Sequence, residues 1–355
     1  MKFGTLAVSR GFITLAIVLV AVLCGCAARA LAQSAPVNTF LGLDGKPSLV
    51  KPSVDNVLFW SDQHLFRKLR IQEHARSGEC RLLDESGVTR ARGTFEECLA
   101  GLESIKRAQN LPPMRGKAVV LLHGLAAPAW SMNLLARHLR IHGGYEVFTV
   151  DYASLRADID YHGRSLARVI QGLEGFDEIN LVGHSMGNIV IRRYLAGDES
   201  PSAGWSPDPR IHRVVMIAPP NHGSITAVRL ANLSLFKSVF GQSGQQLGAL
   251  WQQIEGRLAI PSVEFGIIAG GWKNQSGFDP FLPGDDDGRI TVEETRLAGA
   301  TDFTVVRALH EFIANDPRVF RYTLHFLTDG CFDSPATRES IPRDRIAQQQ
   351  QSRTR

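Results

Sequence analysis

The residues Gly183-His184-Ser185-Met186-Gly187 and their flanks constrain this chain more than any other stretch. Apolar Ile179, Leu181 and Val182 precede them and read as the end of a strand, while Asn188-Ile189-Val190-Ile191-Arg192-Arg193-Tyr194-Leu195 follows with helical spacing. A strand must therefore become a helix within a few residues, with a serine at the apex. Such a turn strains the serine backbone and lifts its hydroxyl clear of the strand end. Glycines two residues before and after it let strand and helix approach closely. A hydroxyl held in this way is a candidate nucleophile for acyl transfer, and a turn serine without chemistry is the plain alternative. With 33 glycines in the chain the five-residue pattern arises readily by chance, so its context decides its meaning.

The context is a regular alternation. From residue 117 onward, strands are predicted at 118–122, 145–150, 179–182, 214–218, 263–269 and 303–306, with helices at 130–142, 155–173 and 188–195 among those between them. Strands that are apolar on both faces, separated by helices, predict a doubly wound, mostly parallel α/β sheet spanning residues 113–332. Ligands of such sheets bind beyond the carboxyl ends of the strands, which is where Ser185 stands. Residues 54–112 read as an N-terminal helix/hairpin extension. Helical spacing runs over 58–74, a hairpin is expected over 80–92, and Thr94-Phe95-Glu96-Glu97 is a capping box opening a helix to about residue 108. Leu111-Pro112-Pro113 marks the boundary. Residues 225–241 are amphipathic and read as a sheet-covering helix or a lid. The polar segment 333–355, with Gln348 to Gln351, predicts a disordered tail.

A serine hydroxyl needs a general base, an orienting carboxylate and donors for the oxyanion. His310 leaves the last predicted strand at the same sheet edge as Ser185 and is the candidate base. His325 lies within the following helix beside Phe326 and Leu327, His222 could line the site, and His212 precedes a strand at the wrong edge. The loop after strand 263–269 carries Asp285-Asp286-Asp287-Gly288, of which Asp287 is the candidate acid, with Asp285 and Asp286 as fallbacks. Its acidic spacing does not match a calcium loop of the EF-hand type. Leu122-His123-Gly124-Leu125 follows the first strand, so the backbone amides of Leu125 and Met186 are the candidate oxyanion donors, with His123 structural.

Taken together, Leu121-Leu122-His123-Gly124-Leu125, Gly183-His184-Ser185-Met186-Gly187, Asp287-Gly288, His310 and the segment Ala218-Pro219-Pro220-Asn221-His222-Gly223-Ser224 resemble the lipase-like α/β-hydrolases of bacteria. The resemblance covers roughly residues 113–332 and includes the chain order oxyanion loop, Ser, Asp, His. It implies a Ser185–His310–Asp287 triad acting through an acyl-enzyme on carboxylic esters, lipid esters included, with neither metal nor organic cofactor. Two other readings stay open: an acyltransferase using the same three residues, and a non-catalytic binding or scaffold lipoprotein of the cell envelope.

The N-terminus reads as an export signal. Lys2 and Arg10 precede a charge-free stretch from Gly11 to Ala28, whose apolar core is short for a membrane-spanning helix. Ala30-Leu31-Ala32 predicts cleavage before Gln33, giving a signal peptide of residues 1–32; Leu23-Cys24-Gly25-Cys26 looks like a lipobox, which would remove 1–25 and lipidate Cys26. An uncleaved anchor is the third option. The expected address is the bacterial envelope: periplasmic, membrane-attached or secreted. Residues 33–53 read as a linker. Past the leader remain Cys80, Cys98 and Cys331, of which the first two could pair in an oxidising compartment or stay as small buried thiols. A net charge of +4 without a basic stripe and interleaved aromatics excludes nucleic acid as a partner.

Overall fold

The computed structural model describes residues 58–200, 204–231 and 234–343. The leader with both processing sites, the linker and residues 344–355 lie outside them.

Four strands come first: β1 (Trp60–Phe66), β2 (Leu69–His74), β3 (Cys80–Leu83) and β4 (Thr89–Gly93), forming an antiparallel sheet in sequential order. The helical spacing expected over 58–74 is thus a hairpin. All of β1 except His64 is buried, including Ser61, Asp62 and Gln63, so the strand shows no two-residue alternation that would have marked it. The hairpin between β3 and β4 turns at Asp84, whose carboxylate accepts from the Ser86 and Val88 amides at 2.9 and 3.0 Å. Helix α1 (Phe95–Ala108) then packs on this sheet. Its capping box forms as the spacing predicts, Thr94 Oγ1 accepting from the Glu97 amide at 3.2 Å and Glu97 from the Thr94 amide at 2.7 Å.

The second sheet has six strands: β5 (Gly116–Leu122), β6 (Glu146–Val150), β7 (Phe176–His184), β8 (Ile211–Ile217), β9 (Glu264–Gly271) and β10 (Asp302–Arg307). Their order is β10-β9-β8-β7-β5-β6, and every pairing is parallel. Parallel strands need crossovers, and helices supply them: α2 (Asn133–Gly143), α3 (Ile159–Gln171) and α4 (Met186–Leu195). Further on come α5 (Ile225–Leu230), α6 (Ser234–Gln246), α7 (Trp251–Glu255), α8 (Val292–Thr295) and α9 (Pro317–Asp329). Leu135, Leu139, Val319 and Phe326, from α2 and α9, pack with Val119, Leu121, Val182 and Val215 on one face. Helices α3 and α4 lie against each other, with Leu166, Ile170, Ile189 and Val190 buried. Burial on both faces is why the strands read as continuous apolar runs.

Strand order reverses at β5, with β6 on one side and β7 on the other. The loops leaving β5 and β7 therefore part, opening a crevice at the carboxyl edge where ligands of such sheets bind. The first of those loops starts at His123 and the second carries Ser185.

Two expectations need correction. Residues 225–241 are no single helix, being split between α5 and α6, and Gly241 has φ 56° and ψ −151°. Residues 333–343 are docked, not disordered: Ile341 is buried and its amide donates to Ala300 at 2.9 Å, while the Glu339 amide donates to Asp302 Oδ1 at 2.9 Å. Cys80, Cys98 and Cys331 are buried free thiols.

Candidate active site

Ser185 links the end of β7 to the start of α4, with φ 53° and ψ −124°, a conformation costly for a residue with a Cβ. Surroundings hold it there: its amide donates to Ile217 O at 2.9 Å, and its carbonyl accepts from the Asn188 side chain at 3.0 Å. Glycine is required on both sides by close approach. A Cβ at Gly183 would lie 2.4 Å from Asn188 Oδ1, and one at Gly187 would lie 2.6 Å from the Leu122 carbonyl oxygen.

The loop between β9 and α8 sorts its three consecutive aspartates, Asp285 to Asp287, by task. Asp285 accepts from the Trp272 and Lys273 amides at 2.7 and 2.9 Å, and Asp286 from the Asp279 and Gly288 amides at 2.9 and 2.7 Å. Both tie the loop to itself. Asp287 alone reaches outward. Its Oδ1 accepts from the Arg289 and Ile290 amides at 3.0 and 2.8 Å, leaving Oδ2 to meet His310 Nδ1 at 2.7 Å. The Asp287 carbonyl also accepts from the His310 amide at 2.9 Å, so the two loops are joined at backbone and side chain.

His310 Nε2 lies 2.9 Å from Ser185 Oγ. A carboxylate can only accept, so Nδ1 carries the proton and Nε2 presents its lone pair to the hydroxyl. Burial works to lower the His310 pKa, but the Asp287 carboxylate, helped by Glu311, outweighs it, and the imidazole titrates above its ordinary 6.5. Ser185, His310 and Asp287 are all buried, at 9%, 8% and 0% exposure, so the charges they develop are little screened.

The loop after β5 passes against the serine: a Cβ at Gly124 would sit 3.1 Å from Ser185 Cβ. Leu125 follows at once, and Ala126 adopts φ 59°. Met186 is the first residue of α4, where an amide has no carbonyl partner within its own helix. His123 is structural in its contacts, Nδ1–H donating to the Gly124 carbonyl at 2.8 Å.

The rival histidines stand elsewhere. His325 is half-buried in α9, His212 pairs with Glu178 at 3.3 Å at the start of β8, and His222 lies in the loop just past β8. Sequence reasoning gave His184 no task, yet its Nε2–H donates to the His310 carbonyl at 3.1 Å. Burial, with His310 beside it, pushes His184 down to about 3, so it stays neutral. Its only sequence signal was its place before the serine. Among the described residues no group of His, Cys, Asp or Glu is arranged to hold a metal ion, and no helix is long and apolar enough to cross a membrane.

Comparison with known proteins identifies the family. The family model described as the alpha/beta hydrolase family matches residues 119–351. Among solved structures, the mature form of the lipase BlEst2 of Bacillus licheniformis is 19% identical, with 61% of this chain and 93% of that chain covered and a TM-score of 0.45. The phospholipase PlaB of Legionella pneumophila is 17% identical over 51% of this chain and 45% of its own, with a TM-score of 0.38. A thermophilic esterase of Thermogutta terrifontis is 15% identical over 61% of this chain and 90% of its own, also at 0.38. Comparison with curated protein sequences gives no significant match. By the family model, which begins within β5, runs past β10 and includes all three clustered side chains, this chain belongs to the alpha/beta hydrolase family.

Proposed function

We propose that the protein is an exported serine hydrolase of carboxylic esters, lipid esters among them, with Ser185 as nucleophile. One observation carries this reading: a buried imidazole sits 2.9 Å from a hydroxyl on a strained elbow and 2.7 Å from a buried carboxylate. Ser185 Oγ attacks the ester carbonyl carbon as His310 Nε2 takes its proton. Asp287 holds the imidazole in the required tautomer and stabilises the imidazolium. The carbonyl oxygen becomes an oxyanion, which the amides of Met186 and Leu125 receive. Such donors are each worth about 10²–10³ in kcat. Collapse expels the alcohol, protonated by His310, and leaves an acyl group on Ser185. Water, deprotonated by the same histidine, then releases the acid.

A fluorophosphonate probe tests the reading. The wild type is expected to be labelled at Ser185, and Ser185→Ala and His310→Ala to lose labelling while remaining folded. Folded wild type that resists labelling and turns over no nitrophenyl ester would refute it. Export is tested by mass spectrometry of the mature N-terminus, which should begin at lipidated Cys26 or at Gln33; an intact leader in the envelope fraction indicates the uncleaved anchor, and one in the cytoplasm contradicts export.

A further inference from the structure

We infer that the N-terminal four-stranded sheet is a positioning element for the oxyanion loop, acting through residues 151–154. This rests on the hydrolase reading and extends it to a part of the chain that precedes the matched family region, residues 119–351. The starting point is the run of polar residues buried in β1: Ser61 and Asp62 are fully buried. Buried polar groups need partners, and these find them on the segment that leaves β6. The Asp62 amide donates to the Asp151 carbonyl at 2.9 Å, and Asp62 Oδ2 accepts from the Asp151 amide at 2.8 Å. Ser61 Oγ accepts from the Ala153 amide at 3.0 Å. Arg70, on β2, binds Asp62 Oδ2 at 3.0 Å and Asp151 Oδ2 at 2.8 Å, so one guanidinium closes the joint from the sheet side.

Side chains of that same segment also grip the loop after β5, with the Asp151 carboxylate bridging to both sides. Asp151 Oδ1 accepts from the Ala129 amide at 3.2 Å, and Ser154 Oγ accepts from the Ala126 amide at 3.2 Å. The Tyr152 hydroxyl donates to the His123 carbonyl, and its ring stacks on His123 with centroids 4.1 Å apart. Each of these contacts falls on residues 123–129, which bracket the Leu125 amide. Ala126 is held there at φ 59°, a conformation that persists only where its surroundings dictate it. The chain of contacts is continuous: Ser61 and Asp62 fix the backbone of 151–153, Arg70 holds the Asp62 and Asp151 carboxylates together, and Asp151, Tyr152 and Ser154 fix the oxyanion loop. A small misplacement of a group in a reacting site can cost about 100-fold in rate. Ser61, Asp62, Arg70 and Ser154 are therefore positioning residues, none of them touching substrate.

Full-length Ser154→Ala and Ser61→Ala test this. The expected result is a fall in kcat of about 10- to 100-fold for Ser154→Ala, and a smaller fall for Ser61→Ala, which acts one step further back. KM should stay within about twofold, and the acid limb of the pH profile should not move, because the His310–Asp287 contact is untouched. A second readout isolates the oxyanion donors: matched oxo- and thiono-esters, whose sulfur is the poorer acceptor. The oxo/thiono rate ratio should fall in both variants. Ser61→Ala removes a single hydroxyl and keeps the test alive if Ser154→Ala does not fold. Wild-type turnover with unchanged kcat in the folded variants, or a loss of kcat at constant oxo/thiono ratio, overturns the inference alone. A wild type that hydrolyses neither ester overturns the hydrolase reading beneath it.

Discussion

Replacing Asp287 by Asn separates what the carboxylate does for the fold from what it does for chemistry. In the wild type, Oδ1 accepts from two amides at 3.0 and 2.8 Å, and Oδ2 accepts from His310 Nδ1–H at 2.7 Å. The substituted asparagine retains an oxygen for both amides, so the loop stays closed and the stability loss is confined to one charge-assisted bond, about 1.5–3 kcal/mol. The new NH₂ then faces Nδ1. It can only donate, so it favours the tautomer with Nδ1 bare and the proton on Nε2, which cannot accept from Ser185. The expected fall in kcat is about 10⁴-fold, or ~5.5 kcal/mol at ~1.4 kcal/mol per decade. The pH profile carries a second signature. Loss of the negative charge removes the main influence holding His310 above 6.5 and leaves burial to lower it, so the acid limb of residual kcat/KM shifts to lower pH. Stability shifts with it: the wild-type contribution of the raised imidazole is full below about 6.5 and lost as pH rises through the folded-state value, and Asp287→Asn abolishes it. Steady-state kinetics on nitrophenyl esters across pH, beside a thermal melt, reads all three. A well-folded Asp287→Asn enzyme with wild-type kcat, or an acid limb moving upward, would refute the reasoning and return Asp285 and Asp286 as candidates.

Two further outcomes follow from strain and burial. Ser185→Gly should melt about 2 °C above Ser185→Ala, because glycine relieves a backbone at φ 53° by an amount that exceeds its own entropic cost by ~1 kcal/mol; a lower melting point for the glycine variant would show the elbow to be unstrained. His184 is held down to about 3 when folded but titrates near 6.5 when unfolded, so stability falls with its protonation as pH drops from about 6.5 toward 3. His184→Leu removes that contribution, and its denaturation midpoint should decline less steeply than the wild type's between pH 6 and 4; parallel declines would contradict the assignment.

The parallel sheet was legible because helices cover both faces, which forces its strands to be apolar throughout, and Val119 to Leu122 or Ile267 to Ala269 admit no other reading. Ser185 was legible for a related reason: its strain needs glycines at fixed offsets. The region around β1 was not. Ser61, Asp62 and Gln63 are buried polar residues whose partners include Ala153, Asp151 and Ser165, far away in sequence, and nothing local distinguishes such a run from a solvated helix face. The grip of residues 151–154 on the loop after β5 was hidden likewise, since it exists only once β5 and β6 lie side by side. The docked part of the C-terminal segment is held by Ile341, the one large apolar side chain between residues 333 and 343, and by the Glu339 amide on Asp302, neither of which stands out in a polar stretch.

Most direct of all is capture of the acyl-enzyme. The protein is mixed with a slowly deacylated nitrophenyl ester, quenched in acid within the first turnover, digested and mapped by mass spectrometry. The account predicts one acyl group on the peptide containing Ser185, formed at the rate of the nitrophenol burst and absent from Ser185→Ala. Turnover with no adduct, or an adduct on another residue that persists in Ser185→Ala, would contradict it.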